Sequence, residues 1–466
     1  MAEYELAIVG GTVVTAQGEW RGEIAVTGGR IAALAEPGTP LDSERTLDAG
    51  GRHVLPGVID PHVHMPSGGD FAPICERETS SFIRGGVTSA MVFVAAPDEP
   101  YGPVLARQIA AVGSTAYCHV AFSPIIESME HVRELPRLAR EHGATSYKMY
   151  FAAGGRELYP ATVAVDDGVL YEALGQIAAL GDPAIAMVHA ENWEIAAVLA
   201  ERLRAEGRRD PAAWSESRPN ALEEECMRRA AYYAERQRCP LYVVHMSTAE
   251  GPQVVREARS RGVRVDGETC PHYLEIHAQH ERAALAKYNP AIKWRADNEA
   301  LWRALGDGGV SCMGSDHIPI RWEQKSAGGF DDIWETRGGV PGSATILPLL
   351  LARGVNEGRL TLPQVAAVTS GNAARLFGLS GKGRIEPGAD ADLVVVDLDR
   401  EVDFRAELLG VDYSLFEGER FRGWPVATVL AGRVVMEEGE IAGSPGDGRY
   451  LRRELQERPD RRGVES

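Results

Sequence analysis

Between Gly57 and His317 the chain repeats one alternation eight times: a short apolar run, then a helical stretch. The runs are GVIDPHVH, VTSAMVFV, AYCHVAF, TSYKMYF, AIAMVHAEN, PLYVVHMST, VRVDGETCPHYL and VSCMGSDH. The helical stretches between them include PICERETSSFIRGG, ESMEHVRELPRLAREHG and ALEEECMRRAAYYAERQ. Near-continuous apolar runs of this length suit strands buried on both faces, as in a parallel sheet. Eight β-then-α units in series close a barrel. The expected fold is therefore α/β, a (β/α)8 TIM-type barrel over residues 56–379.

The two ends have a different texture. YELAIVGGTVVTA, GEIAVTGGRIAALAE and RTLDAGGRHVLPG read as short strands with glycine turns, and so do GRIEPGADADLVVVDLD and WPVATVLAGRVVMEEGEIAG. Neither set can bury a core alone. Residues 1–55 and 380–445 are thus expected to form one small composite β-sandwich domain built from both chain ends. Residues 446–466 are charge-dense and poor in apolar side chains, and read as a mobile or partner-docked C-terminal tail.

Composition narrows the partners. A net charge of -18 disfavours nucleic acid and anionic membranes, which need a basic face. No window of about 20 apolar residues suggests a membrane span, and MAEYELAIVGG lacks a secretory pattern. The six cysteines (Cys75, Cys118, Cys226, Cys239, Cys270, Cys312) contain no C-x-x-C pair and read as free thiols in a reducing compartment. A cytoplasmic location is the expectation.

Catalytic residues of a β/α barrel lie at the C-terminal ends of its strands. Here the first run ends with His62 and His64, the fourth holds Lys148, the fifth and sixth end with His189 and His245, the seventh with His272, and the eighth with Asp316 and His317. With 12 histidines in 466 residues, a chance H-x-H is expected roughly 0.3 times, so the pair alone is weak. Residues i and i+2 of a strand share a face, so His62 and His64 can bind one metal or can hydrogen-bond within a core. Adding His189, His245 and Asp316 gives a donor set suited to zinc or another first-row metal. Lys148 lies in an apolar strand. Burial favours its neutral amine, which either reacts with carbon dioxide to give a metal-bridging carbamate or pairs with a carboxylate. His119 reads as a core histidine, and His53, His131, His142, His277 and His280 as exposed ones on turns or helices. Cys270 and His272, separated by Pro271, offer a weaker thiolate-imidazole reading.

These runs, with HAEN, GSDHIP, GVPG and TSGNAARLFGL, resemble the cyclic amidohydrolases of the amidohydrolase superfamily: dihydropyrimidinases, hydantoinases and allantoinases. The resemblance runs from the N-terminal strands to about residue 440. It implies a hydrolase of cyclic amide or ureide rings with two zinc ions per subunit. His62, His64 and Asp316 would hold the more buried metal, and His189 and His245 the other. A carbamate on Lys148 and a hydroxide would bridge them. That hydroxide would attack the ring carbonyl, and Asp316 would carry its proton to the leaving nitrogen. Asn289 and the pair Gly338 and Gly339 fall where the family contacts its substrate, largely through backbone atoms. A homo-oligomer, dimer or tetramer, is implied as well.

Departures from the family bear on substrate. Hydantoinases carry a tyrosine five residues after the lysine; Ala153 stands there, and Tyr150 is the nearby aromatic that could face the barrel. GETCPHYL is closer to allantoinases, and MPSGGD to hydantoinases. Met65 and Pro66 replace the arginine with which dihydroorotases hold a carboxylate. Allantoinase and cyclic imide hydrolase are the alternatives within the class. A non-catalytic dihydropyrimidinase-like scaffold is the alternative outside it, opposed by the filled ligand set. A mononuclear deaminase is opposed by Lys148.

Overall fold

The computed structural model describes residues 2–66, 71–96, 99–152 and 163–456. Five strands come from the N-terminus: β1 (Tyr4–Thr15), β2 (Gly18–Thr27), β3 (Arg30–Ala35), β4 (Ser43–Asp48) and β5 (His53–Pro56). Eight follow at the positions of the apolar runs: β6 (Val58–His64), β7 (Val87–Val94), β8 (His119–Pro124), β9 (Ser146–Phe151), β10 (Ile185–Ala190), β11 (Leu241–Val243), β12 (Val265–Thr269) and β13 (Cys312–Met313). The C-terminal region adds β14 (Leu393–Asp403), β15 (Arg420–Leu430), β16 (Arg433–Glu437) and β17 (Glu440–Ile441).

The strands of both chain ends share one nine-stranded mixed sheet, ordered β17-β16-β15-β14-β5-β1-β2-β3, with β4 on β1. Its seam is β5, parallel to β1 and antiparallel to β14, with Pro56 opposite Leu393. Leu6, Ile8, Ile24 and Val54 from one end pack with Leu393, Val395, Val426 and Val429 from the other. Burying these side chains together supplies what neither end could supply alone. This is the small β-sandwich beside the barrel.

The barrel strands run parallel in two arcs, β6-β7-β8 and β9 to β13. Single bridges join the arcs, Val63 to His317 at one seam and Ile125 to Lys148 at the other. β7 is buried at all eight positions and β9 and β10 at all six, as the unbroken apolar runs require. Ile59, Met91, Phe93, Ala121, Met187, Tyr242 and Phe377 fill the interior. No helix among the described residues is long and apolar enough to cross a membrane.

Three expectations need correction. The seventh run is divided: β12 stops at Thr269, and His272 sits on the short helix Pro271–Glu275. Pro271 cannot donate to a sheet ladder but suits the first turn of a helix, so the strand ends before it. His53, His131, His142, His277 and His280 are half-buried rather than exposed, whereas His119 is a core residue. Finally, of the segment 446–466, read as a mobile or partner-docked tail, residues 446–456 dock on the barrel of their own chain. Arg449 and Leu451 pair with Val120, and Arg453 is 1% exposed. Tyr450 stacks on Phe122 and Leu451 packs against the apolar cluster inside the barrel, so two side chains anchor the otherwise charged segment.

Candidate metal centre

Two ring nitrogens and one carboxylate oxygen meet at the mouth of β6. His62 Nε2 and His64 Nε2 lie 3.0 and 3.1 Å from Asp316 Oδ1, and 3.3 Å from each other. The two histidines share a strand face, as their spacing requires. Asp316 reaches them from beyond the end of β13 with φ at +48°, a left-handed conformation costly for a residue with a side chain. His245 lies beyond the end of β11 with φ at +43°. The strained peptides turn each side chain back over the barrel mouth.

A second pair stands beside the first. His189 Nδ1 and His245 Nε2 face each other at 2.9 Å, and the His62 and His245 ring centres are 5.1 Å apart. Burial keeps the His189, His245 and His64 imidazoles below the ordinary histidine value, His64 at about 4. They are neutral at pH 7, the form that donates a lone pair to a metal. Burial would raise the Asp316 carboxyl, but the His62 charge and the hydrogen bonds from His62 and His64 outweigh it and hold it well down.

Lys148 stands on β9 with its side chain fully buried. Its Nζ is 4.7 Å from the Phe93 ring centre and 4.9 Å from that of Tyr150, with no hydrogen-bond partner among the described residues. Burial pushes its pKa down to about 8 against the pull of Asp316 and Glu268. At pH 7 about a tenth of such amines are neutral. An unpaired buried ammonium is expensive, so this side chain fits a site that gains a further anionic or metal partner.

Two carboxylates that the sequence reading passed over support the candidate ligands. Glu268, fully buried on β12, meets His62 Nδ1, accepts from the Tyr242 hydroxyl at 2.9 Å, and accepts from the His245 backbone N–H at 3.2 Å. It fits because residue 314 is glycine: a Cβ there would lie 2.4 Å from Glu268 Oε2. Asp60 accepts from the backbone N–H groups of His62 and Ser315, both at 3.1 Å, tying the strand of His62 to the segment of Asp316. Both acids sit within quoted apolar runs, and a fully buried acid in a strand is itself a signal of a paired role. His317 turns away from the centre, with Nε2 3.1 Å from Glu78 Oε2 and Nδ1 accepting from Gly342 N–H.

Of the expected substrate contacts, Tyr150 stands against the cluster. Asn289 is buried, and its Oδ1 has no partner among the described residues. Gly338 is half-buried. Gly339 has φ at +85°, donates to Lys287 O at 2.8 Å and accepts from Lys325 Nζ at 3.0 Å. Tyr150 is buried, its ring centre 5.6 Å from that of His189. Ala153 lies outside the described residues, as does most of the loop that follows β9.

Comparison with known proteins finds relatives over nearly the whole chain. The amidohydrolase family profile matches residues 53–435. A D-hydantoinase of Geobacillus stearothermophilus is 34% identical, the match covering 96% of this chain and 96% of the relative. An allantoinase of Rubrobacter xylanophilus is 35% identical over 97% of this chain and 98% of its own length. The crystal structure of a dihydropyrimidinase from Brevibacillus agri superposes with a TM-score of 0.88 at 30% identity, covering 97% of this chain and 99% of that one. Relatives of different substrate names are thus about equally similar, so identity alone does not choose among them.

Proposed function

Because the chain belongs to the amidohydrolase family, we propose that it is a metal-dependent hydrolase opening a cyclic amide or ureide ring. The observation that carries this reading is the facing of two donor sets, His62-His64-Asp316 and His189-His245, in one buried site with the unpaired Lys148 amine. The donors fit two zinc ions: four imidazoles, three of them kept neutral by burial, a carboxylate, and a lysine whose amine burial makes available for a bridging carbamate. Bound there, zinc would supply a hydroxide at neutral pH and polarise the scissile carbonyl.

The chain's own groups do the rest. Asp316, held ionised, takes up a proton at its carboxylate and returns it to the leaving nitrogen. Asn289 and Gly338 present backbone groups to the substrate amide, Gly339 is held beside them by Lys287 and Lys325, and Tyr150 lines the wall beside His189. The missing arginine at Met65 and Pro66 disfavours a substrate carboxylate at that wall.

The test is a panel on zinc-loaded protein: hydantoin and 5-substituted hydantoins, dihydrouracil, allantoin, dihydroorotate and a cyclic imide. Ring opening of one or more of these, excluding dihydroorotate, is expected. A zinc-loaded protein inert on all of them overturns the reading. The same reading places the enzyme in the cytoplasm as a homo-oligomer. Exposed Trp193, Ile195 and Val198 on the helix Trp193–Ala205 would suit a second copy, and light scattering decides it.

A further inference from the structure

We infer that residues 449–456 are a ninth strand of the barrel wall that fixes β9, and with it Lys148; the inference rests on the bridging role proposed for that lysine. β8 and β9 form no ladder. They are joined where Ile126 N–H donates to Lys148 O at 2.7 Å, beside the single Ile125–Lys148 bridge. On the side of the strands away from the metal centre the chain end fills the seam. Val120 N–H donates to Arg449 O at 3.0 Å, and Leu451 N–H donates to Val120 O at 2.8 Å, in parallel register. Leu451 joins the apolar cluster inside the barrel, and the Tyr450 hydroxyl donates to His142 O at 2.8 Å. Further on, Gln456 and Asp182 exchange backbone hydrogen bonds just before β10.

Arg453 is the clasp. Its buried guanidinium donates to Phe122 O at 2.5 Å on β8, to Ser146 Oγ at 2.7 Å on β9, and to Gly143 O at 3.3 Å. All three acceptors are neutral. Burying a cation among them is costly unless each hydrogen bond is kept, so the arginine demands a defined spacing between β8 and β9. Ser146 is two residues from Lys148 on the same strand, and the same hydroxyl meets Ser123 Oγ at 2.6 Å. The approach is cleared in advance. A Cβ at Gly448 would lie 1.9 Å from Cys118 O, and one at Gly143 would lie 2.4 Å from Arg452 Cγ.

The test compares full-length wild type with Arg453→Met and Ser146→Ala. Two quantities are read: amide hydrogen exchange over 146–151 against 265–269, and the bicarbonate concentration that half-restores zinc uptake by metal-free protein. Both variants should keep the wild-type melting transition within a few degrees and exchange faster in 146–151 alone. Their bicarbonate requirement should rise about tenfold, the scale seen when an outer partner of a metal ligand is lost. Unchanged exchange in 146–151, faster exchange in every strand alike, or an unchanged bicarbonate requirement overturns the role. If Arg453→Met does not fold, Ser146→Ala carries the comparison. A wild type that takes up zinc without bicarbonate overturns the carbamate on Lys148 instead, and the exchange data then judge the strand separately.

Discussion

His62 Nδ1 rests against Glu268 Oε1, both side chains fully buried and drawn from β6 and β12. An acceptor at Nδ1 holds the proton there, so that a metal would displace the Nε2 proton now shared with Asp316 and take the Nε2 lone pair. The same oxygen accepts the His245 N–H, so one carboxylate braces a ligand from each donor set. Glu268→Gln keeps the shape and removes the charge. It should weaken zinc binding about 10–100-fold without unfolding the protein, measured by competition with a chromophoric chelator. Wild-type zinc affinity in that variant would remove the bracing role.

Asp316→Asn tests proton transfer. The amide keeps the volume but cannot accept and release a proton. kcat should fall about 10²–10⁴-fold, the usual worth of a general acid–base. Steady-state kinetics on the best substrate of the panel, with zinc content measured in parallel, separates this loss from a loss of metal.

Lys148→Ala removes the amine that would carry the carbamate. Zinc should drop from the proposed two ions per subunit toward one. Activity should fall by two or more orders of magnitude, as when a charge-stabilising group of a site is removed. A short carboxylic acid added to the variant should restore part of both, because it can occupy the vacated space as an anionic bridge. Full activity without it would sink the carbamate assignment.

Lys325 gives a pH signature of its own. Burial lowers its pKa from 10.5 to about 7, with the charges of Lys287 and Arg337 acting in the same direction. The folded chain therefore binds its proton more weakly than the unfolded chain does. Below about pH 7 both states are protonated and the folded state carries the whole penalty. From pH 7 to 10.5 the unfolded state binds more protons, so stability rises with pH through this group. Relative to Lys325→Met, wild type should gain about 1.4 kcal/mol per pH unit across that window, read from denaturant melts. The variant should also raise KM, because Lys325 holds Arg337 O and Gly339 O at the rim.

The eight barrel strands were legible because strands buried on both faces leave unbroken apolar runs. His62 and His64 were legible because a two-residue spacing fixes a shared face. The left-handed turns at His245 and Asp316 were not, since neither position carries the glycine that usually marks such a backbone. Glu268 was passed over because periodicity tells which face a side chain takes and not which distant strand it meets. His272 was placed one element early, although Pro271 marked the break. In the last segment, charge density concealed Tyr450 and Leu451, two anchors too few to register as a pattern.

The seam between β5 and β14 sets a timetable for the growing chain. β1 and β5 leave the ribosome early, but β14, which pairs with β5 and brings the core that neither chain end buries alone, follows 337 residues later. At ordinary elongation speeds the delay is on the order of 20–70 s. Throughout it the nascent chain shows an unsatisfied row of backbone donors and acceptors, a template for unwanted pairing. Protection of that edge during synthesis is thus a requirement that this architecture places on the cell rather than on the finished enzyme.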